Sequence, residues 1–406
     1  MTGRARANGE GSIFPYRNGY AAYVWVNKPN GLRQRKYVYG KTREQVHEKW
    51  LKLQQRARQG PMATSVPRLG EFLTYWLEEI VRPNLAPATY VNYELFVRRH
   101  IAPELGARRL DRLSIRDLQT WLNKLARACQ CCTHRKDAAR PEKKRRCCAI
   151  GKCCEARLSA RTINDVRACL RAALSQGVTE DLIAKNGAAS IRVPSVRKRK
   201  GKAWSSEEAR RFLESARSDR DPLYGAYVLI LLLGLRKGEV LGLTWDDVNL
   251  DAGELVIGHQ LQRVSRELLH RETKTAASDA SLPLVDVCAA ALRLREADES
   301  TARAAAGGAW QGGKLIFTTK WGTPIEPRNF NRSWNARAVR AHVRSITVHD
   351  GRRTCATLLV DLDVHPREVM RILRHAQIAV TMEIYAQASS KATRTALKRL
   401  GDSLDG

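Results

Sequence analysis

The sequence predicts a multidomain protein: an N-terminal three-stranded β-sheet plus helix, an all-α middle domain, and a mainly α domain with a small antiparallel sheet. Three observations predict this architecture. The chain has 406 residues, enough for two or three domains. Aromatic and β-branched residues alternate near the N-terminus, whereas later segments carry apolar residues at helical spacing. Two linkers separate these patterns and give expected domains at 1–62, 68–195 and 203–406.

The charge of the chain indicates a polyanionic partner. It has 71 Lys and Arg against 41 Asp and Glu, and its net charge is +30. Nucleic acid fits this balance best, although a ribosomal or merely basic protein would show it too. No secretory signal is visible, and the longest apolar run is too short to span a bilayer. We therefore expect a cytoplasmic protein that has no membrane partner.

The N-terminal region is predicted to form three strands followed by a helix over 42–59. The strand segments are rich in aromatic and β-branched residues and are separated by Asn-Gly turns. These segments cover residues 12–16, 20–27 and 32–40. Alternation in the third strand puts Arg33, Arg35 and Tyr37 on one face. Such a basic strand face can enter the major groove of DNA, and a solvated sheet face is the alternative.

The middle region, 68–195, is predicted to be helical. Ser114 and Asp117 have the spacing of a capping box at a helix start. The linker that follows is basic and poor in apolar residues, and we expect it to track a DNA backbone. A solvated tether is the alternative. The candidate DNA-contacting residues of this linker are Lys198, Arg199 and Lys200.

A cysteine-rich insertion at 129–154 interrupts the helical region and holds seven of the ten cysteines. In a reducing compartment such thiols bind metal or are buried more often than they form disulfides. Four thiolates could close a tetrahedral structural zinc site, which would supply the stability that so basic a segment lacks. The candidate ligands are Cys129, Cys132, Cys148 and Cys153. The spacing leaves open which four of the seven thiols bind and whether His134 takes part; a disordered loop with incidental thiols is the alternative.

The third region is predicted to begin at a helix capped by Ser205 and Glu208. The apolar segment 221–243 predicts one buried helix, or two with a break near Gly234. Short strands are expected at 253–259, 266–274 and 281–284, and the remainder is predicted to be helical.

Six side chains suited to phosphate chemistry follow one another in this region. They are Arg236, Lys274, His349, Arg352, His375 and Tyr385. A guanidinium matches phosphate oxygens bidentately, a histidine can move protons, and an activated tyrosine hydroxyl can attack phosphorus. His349 and Arg352 are three residues apart, so a helix would present both on one face. Singly, each residue could belong to a surface ion pair or to the core, but together they indicate phosphoryl transfer.

The segments around these residues resemble the tyrosine recombinase family, the phage-type integrases. The segment 234–250, GLRKGEVLGLTWDDVNL, resembles the family's first arginine box. The segments 348–359, VHDGRRTCATLL, and 373–386, LRHAQIAVTMEIYA, resemble its second box. The resemblance extends over nearly the whole chain, because 68–195 is similar to the family's core-site binding domain and 10–60 to its sheet-type arm-site binding domain.

The resemblance implies a site-specific DNA recombinase that cleaves and rejoins DNA through a covalent 3′-phosphotyrosine intermediate, integrating or excising a phage or mobile element. Tyr385 would be the nucleophile, and Lys274 would protonate the leaving 5′ oxygen. The two arginines would stabilise the charge of the transition state, His375 would add a hydrogen bond, and His349 would exchange the tyrosine proton. Glu239 would support the site. No cofactor is implied for catalysis.

The expected partners follow from the same resemblance. They are double-stranded DNA attachment sites, further copies of the chain in a homotetramer, and an excisionase or a host DNA-bending protein. The expected location is the nucleoid of a bacterial host. An apolar stripe of Leu397, Leu400 and Leu404 near the C-terminus predicts docking on a neighbouring protomer, and folding back on its own domain is the alternative.

Three positions depart from the family pattern. Gly351 stands where Leu is common, Arg353 where His is frequent, and Arg374 where Gly is frequent. Two other functions stay open at this point. A type IB topoisomerase shares the chemistry but has no use for an arm-binding sheet, and a non-catalytic DNA-binding protein would not need the six side chains.

Overall fold

The computed structural model describes residues 13–27, 32–60, 66–195, 201–273, 280–385 and 402. The chain divides near residue 197 into two compact units. This division falls in the basic linker expected before the third domain. The further separation of an N-terminal domain ending near residue 62 stays a prediction. Among the described residues, no helix combines the length and the apolar character needed to cross a membrane.

The first unit begins with the predicted antiparallel sheet, whose strands follow the order β1-β2-β3. The strands are β1 (Phe14–Tyr16), β2 (Gly19–Asn27) and β3 (Arg33–Gly40). Helix α1 (Arg43–Gln59) packs on one face, where Ala22, Val46 and Trp50 form a small core. The opposite face of the sheet stays exposed, as alternation in β3 predicts.

The rest of the first unit is helical, as expected. Its helices are α2 (Leu69–Tyr75), α3 (Arg82–Asn84), α4 (Pro87–Phe96), α5 (Ala102–Leu105), α6 (Ile115–Arg127), α7 (Gln130–Thr133), α8 (Ala160–Thr179) and α9 (Gly187–Ser190). Two π-helical turns, Trp76–Val81 and Val97–Ile101, join α2 to α3 and α4 to α5. The capping box at the start of α6 is confirmed, since the Asp117 N–H donates to Oγ of Ser114 at 3.1 Å.

The second unit combines helices with two small sheets. Its helices are α10 (Ser206–Ser218), α11 (Tyr224–Leu232), α12 (Lys237–Gly242), α13 (Asp286–Ala306), α14 (Pro327–Arg340), α15 (Val348–Asp361), α16 (Pro366–Leu373) and α17 (Ile378–Tyr385). Its strands are β4 (Val248–Asn249), β5 (Glu254–Ile257), β6 (His259–Val264), β7 (Glu267–Glu272) and β8 (Ala280–Pro283). The first sheet has the order β4-β5-β8, and β6 and β7 form a separate hairpin.

The core of the second unit surrounds α11. This helix is buried along most of its length because its sequence is apolar on every side. The structure confirms the break near Gly234, since α11 ends at Leu232 and α12 begins at Lys237. The Ser205 cap of α10 is confirmed as well, with the Glu208 N–H donating to Oγ of Ser205 at 3.2 Å.

Gly351 does not interrupt helix α15. The helix runs through Gly351, which lies where α15 closely approaches α11 and α14. A Cβ added at Gly351 would lie 2.8 Å from Cη2 of Trp334 and 3.0 Å from Cγ2 of Ile230. Glycine therefore gives α15 room to pack against a buried tryptophan that a larger residue would displace.

Candidate active site

Gly234 ends the apolar helix and positions the first candidate arginine. Its backbone has φ +61°, and a Cβ there would collide with Leu373. Glycine alone readily adopts this positive φ and, lacking a Cβ, avoids the collision. The chain then reaches Arg236 directly before α12, where its backbone N–H donates to Oε2 of Glu239 at 2.7 Å.

The buried carboxylate of Glu239 joins two arginines. Nη1 of Arg236 donates to Oε1 at 2.5 Å, and Nη2 of Arg374 donates to Oε2 at 2.6 Å. Burial alone would raise the pKa of the Glu239 carboxyl, but Arg374 and Arg236 outweigh burial and lower the pKa. Glu239 therefore stays ionised at neutral pH and orients both guanidinium groups.

Arg374 is a part of this site that sequence reasoning noted only as a departure. It follows α16 in the left-handed conformation, with φ +52°. Glycine adopts this conformation easily, whereas a residue with a Cβ meets strain there. The buried side chain of Arg374 offsets the strain through its ion pair with Glu239. In the sequence, Arg374 could have been recognised as a charged residue at a helix end where glycine is favoured.

Arg352 lies on α15 with its side chain buried. Nη1 donates to the Gly234 carbonyl at 2.5 Å, and Nη2 donates to the Leu373 carbonyl. These two bonds fix the guanidinium between the turn before α12 and the end of α16. Burial lowers the pKa of Arg352 to about 9, with Arg236 and Arg374 adding to the shift. A bound anion would favour the charged form of such a crowded cation.

The two candidate histidines lie close to these cations. His349 precedes Arg352 by one helical turn on α15, as predicted, and burial followed by Arg352 lowers its pKa. Nδ1 of His375 lies 2.9 Å from Oγ1 of Thr381. Burial, with Arg352 next, lowers the pKa of His375 to about 4. Both rings are therefore neutral at pH 7 in the absence of a bound anion.

Two cavities bring these side chains to one place. His349 and Arg352 line both of them. The larger cavity, of about 870 Å³, also includes Arg236, and the smaller, of about 100 Å³, includes His375. The basic side chains of the larger cavity are Lys202, Arg236, Lys237, Arg263, Arg328, His349 and Arg352. The arrangement can hold an anion with several charge-assisted hydrogen bonds.

Tyr385 ends α17 and packs against the small apolar cluster of α15, α16 and α17. Its hydroxyl donates to the Val364 carbonyl. Burial and then Asp363 raise the pKa of the Tyr385 hydroxyl. Within the part of the chain that the structure describes, the residues lining the two cavities do not include Tyr385.

Several predicted residues lie outside the described residues. Lys274 belongs to the segment between β7 and β8, which is not described. The same holds for the basic residues of the linker and for the apolar stripe near the C-terminus. These residues are Lys198, Arg199, Lys200, Leu397, Leu400 and Leu404.

The exposed face of the N-terminal sheet carries the predicted arginines together with aromatic rings. Arg33, Arg35 and Tyr37 are all exposed on β3. The guanidinium of Arg35 lies over the rings of Tyr23 and Trp25, at 4.7 and 4.8 Å from their centroids. Trp25 is 47% exposed, which is unusual for so large a ring. Sequence reasoning missed these two aromatic residues, although the alternation in β2 places both on the same face as Arg35.

The structure brings the four predicted metal-ligand cysteines together. The sulfurs of Cys129, Cys132, Cys148 and Cys153 all lie within 4.8 Å of one another. Sγ of Cys132 lies 3.6 Å from Sγ of Cys153. His134, the other candidate ligand, does not belong to this group; its ring contacts His100 instead.

Two family models match this chain. The model described as "Phage integrase family" matches residues 203–392, which include Tyr385 and all residues that line the two cavities except Lys202. The model described as "Phage integrase, N-terminal SAM-like domain" matches residues 68–126, within the helical part of the first unit.

Relatives and a solved structure give matches of similar extent. A protein named "Tyrosine recombinase XerC-like", from Caldanaerobacter subterraneus, is 25% identical over 393 residues, which cover 92% of this chain and 93% of the relative. An integrase of Streptomyces ambofaciens is 26% identical over 372 residues, covering 88% and 86%. The Tn1549 transposon integrase, solved with a circular intermediate DNA, has a similar fold. Its TM-score is 0.62 at 20% identity, and the match covers 83% of this chain and 100% of that one.

Proposed function

Because the chain belongs to the phage integrase family of tyrosine recombinases, we propose that it exchanges DNA strands between two attachment sites through Tyr385, and thereby integrates or excises a phage or other mobile element. The observation that carries the proposal is the convergence of Arg236, His349, Arg352 and His375 on two adjoining cavities. This convergence forms a site for the phosphate at the point of exchange.

The arginines act on the charge that develops during the reaction. As the nucleophile attacks, negative charge grows on the non-bridging oxygens of the phosphodiester, and preorganised cations stabilise it. Arg352 is held by two backbone carbonyls and Arg236 by Glu239. Because both guanidinium groups are oriented before DNA arrives, little reorganisation accompanies the transition state. Glu239 and Arg374 position these groups and do not themselves contact the phosphate.

The bond changes are those of a transesterification. The Tyr385 oxygen attacks phosphorus, a 3′-phosphotyrosine bond forms, and the bond to the 5′ oxygen breaks. The neutral ring of His349 accepts the phenolic proton, and His375 donates a hydrogen bond to a phosphate oxygen. Lys274 gives a proton to the leaving 5′ oxygen. In the rejoining step a 5′ hydroxyl from the second DNA attacks the phosphotyrosine, and the protons return. By the family resemblance, no cofactor takes part in these steps.

The partners of the reaction follow from its geometry. Four active sites are needed to exchange both strands of two duplexes, so the active form on DNA is a homotetramer. The first unit binds the DNA that flanks the cleavage point, through the helical region and the exposed face of the N-terminal sheet with Arg33, Arg35 and Tyr37. The linker residues Lys198, Arg199 and Lys200 neutralise phosphates of the DNA backbone. An excisionase or a host DNA-bending protein would set the direction of exchange.

The cysteine-rich insertion has a structural part in this scheme. The sulfurs of Cys129, Cys132, Cys148 and Cys153 lie within 4.8 Å of one another, close enough to bind one tetrahedral ion, and zinc is the metal that such thiolates favour. We propose that bound zinc holds the insertion folded and takes no part in strand exchange.

The experiment that tests the function looks for a covalent protein–DNA adduct. Labelled duplexes from the DNA that flanks the gene are incubated with wild type, Tyr385→Phe and Tyr75→Phe, and are then separated on denaturing gels. Tyr75 is the matched control, because its hydroxyl lies in the first unit, where it bonds to Glu180. We expect adducts with wild type and Tyr75→Phe but not with Tyr385→Phe, and equal DNA binding by all three. An adduct that persists in Tyr385→Phe removes Tyr385 as the nucleophile.

A further inference from the structure

The seven cysteines of the insertion form two groups of four rather than one group and three spare thiols. The second group consists of Cys131, Cys147, Cys148 and Cys154, whose sulfurs also lie within 4.8 Å of one another. Cys148 is the one member that the two groups share. Eight ligand positions are therefore filled by seven thiols, with one sulfur counted twice.

We propose that the insertion binds two divalent metal ions of the zinc class in a thiolate cluster, in which the Cys148 sulfur bridges the two ions. Cys129, Cys132 and Cys153 complete the first tetrahedron, and the remaining three thiols complete the second. The second ion and the bridge go beyond the single structural zinc proposed above, and neither depends on the recombinase activity.

The separations of the sulfurs fit adjoining tetrahedra. With zinc–sulfur bonds of about 2.3 Å, the edge of a tetrahedral site is about 3.8 Å. The Cys131–Cys147 and Cys132–Cys153 separations are both 3.6 Å. The Cys129–Cys154 separation, which joins one group to the other, is 3.8 Å. Cys132 and Cys148 are closer, at 2.8 Å, and this edge widens by about 1 Å when an ion binds between them.

A buried carboxylate fixes the segment that carries Cys147 and Cys148. The side chain of Asp137 is fully buried, and it accepts the backbone N–H groups of Cys147 at 2.9 Å and Ala149 at 3.1 Å. These bonds attach the segment of Cys147 and Cys148 to the residues that follow α7, and Sγ of Cys147 lies 3.6 Å from Sγ of Cys131 on that helix. The ligands are thus arranged by hydrogen bonds of the protein itself.

The backbone closes the insertion at its base and turns it near its end. The Gln130 N–H donates to the Ala156 carbonyl at 2.9 Å. Gly151, with φ +78°, reverses the chain between Cys148 and Cys153. The backbone of the insertion therefore forms a closed loop that brings its cysteines close together.

The composition of the insertion explains why such a cluster is needed and tolerated. The largest apolar side chain in its distal part, Ile150, is 53% exposed, so apolar burial contributes little stability there. Seven thiolates and two divalent ions carry a net charge of about minus three. Eight Lys and Arg residues between Arg135 and Lys152 surround that charge. Metal binding then supplies folding free energy that the segment otherwise lacks.

Metal content and spin coupling test the proposal on the full chain. Protein purified under reducing conditions is analysed for zinc, and is then reconstituted with Co²⁺ in steps. We expect two equivalents of metal and the absorption of tetrahedral cobalt thiolates. We also expect an electron paramagnetic resonance signal per cobalt that falls at the second equivalent, because a bridging sulfur couples the two spins. One equivalent of metal overturns the proposal, as do two uncoupled ions or a metal-free protein with three disulfides.

Single substitutions distinguish the bridge from the terminal ligands. Cys153→Ser and Cys154→Ser are matched variants, since both residues are exposed and each belongs to one group. Each should retain one ion, whereas Cys148→Ser should weaken both. Cys169→Ala, in the core of the same unit, should retain two. If Cys148→Ser loses one ion and keeps the other at full affinity, the bridge is wrong. If Cys148→Ser does not fold, the spin coupling of wild type decides alone.

Discussion

At the scale of single residues, the arrangement of the candidate active site depends on one buried carboxylate. Glu239 accepts hydrogen bonds from Arg236 and Arg374 and lies at the start of α12. An exposed arginine would be oriented less well, because its side chain samples many rotamers and forms only weak ion pairs in water. In the proposed reaction, the orientation of Arg236 toward the phosphate would depend on Glu239 and Arg374, two residues that are not expected to react.

Replacing Arg374 by glycine should damage both stability and catalysis. Removing one partner of a buried ion pair costs about 3–5 kcal/mol, and relief of the left-handed backbone returns about 1 kcal/mol. We expect the free energy of unfolding to fall by roughly 2–4 kcal/mol. Strand cleavage should fall by about tenfold or more, since 1.4 kcal/mol of lost orientation has that effect. Denaturant unfolding and single-turnover cleavage measure these changes.

The control for that variant is Arg371→Ala. Arg371 is exposed and pairs with Glu368 at 3.1 Å on the surface of α16. Surface pairs of this kind contribute little, so the free energy of unfolding should change by less than about 0.5 kcal/mol. An equal loss in both variants would show that the charge, and not the buried pair, is responsible.

His375 should make the protein less stable in acid. Its pKa is about 4 in the folded chain, against an ordinary value of 6.5. As the pH falls through this range, the unfolded chain takes up a proton before the folded chain does, so the free energy of unfolding decreases. His375→Gln lacks this contribution. The stability of wild type relative to this variant should therefore fall between pH 6.5 and pH 4, as urea titrations at several pH values would show. A constant difference contradicts the assignment.

At the scale of elements, close packing of α15 against Trp334 explains a residue that looks unfavourable in the sequence. Gly351→Ala gains about 1 kcal/mol of helix propensity, but overpacking a buried site costs about 1–3 kcal/mol. Gly351→Leu adds three more carbons and should lower the free energy of unfolding by about 3 kcal/mol or more. Thermal and denaturant unfolding of both variants test this. Gly313→Ala is the control, because a Cβ there meets no atom within 4 Å.

The exposed face of strands β2 and β3 is expected to contact the DNA backbone. Arg35→Gln should weaken binding to DNA by a similar factor for different sequences, and should reduce the slope of log affinity against log salt by about one. Fluorescence anisotropy of the full chain at several salt concentrations measures both. Lys52→Gln changes the same charge on the outer side of α1, where Lys52 pairs with Glu48, and should change neither. If both variants behave alike, the sheet face has no special contact with DNA.

The elements could be predicted wherever the pattern was local. The turn between β1 and β2, the Ser114 cap and the break at Gly234 all depend on residues close in sequence, and the structure confirms them. Strand β6 (His259–Val264) was not predicted, because only its pairing with β7 makes a segment with two glutamines and an arginine regular. The role of Arg374 was missed for the same reason: its partner, Glu239, is 135 residues away.

At the scale of the whole molecule, the net charge of +30 should dominate the affinity for DNA without an attachment site. A protein that contacts six to ten phosphates loses about 10³–10⁵ in affinity between 50 and 200 mM salt. We expect a loss in this range for duplexes of random sequence, measured by anisotropy. A loss below about tenfold would mean that most of the positive charge lies away from the bound DNA.

The hydroxyl of Tyr385 donates a hydrogen bond to the Val364 carbonyl. Under the proposed mechanism, this contact should reduce cleavage of unrelated chromosomal DNA. So basic a protein spends much of its time on unrelated DNA, and a genome offers about 10⁶–10⁹ such positions. Under the proposed mechanism, Tyr385 must first exchange that hydrogen bond, which contributes about 0.5–1.5 kcal/mol. We therefore expect chance encounters with the chromosome to produce fewer nicks than they would if the Tyr385 hydroxyl were unbound.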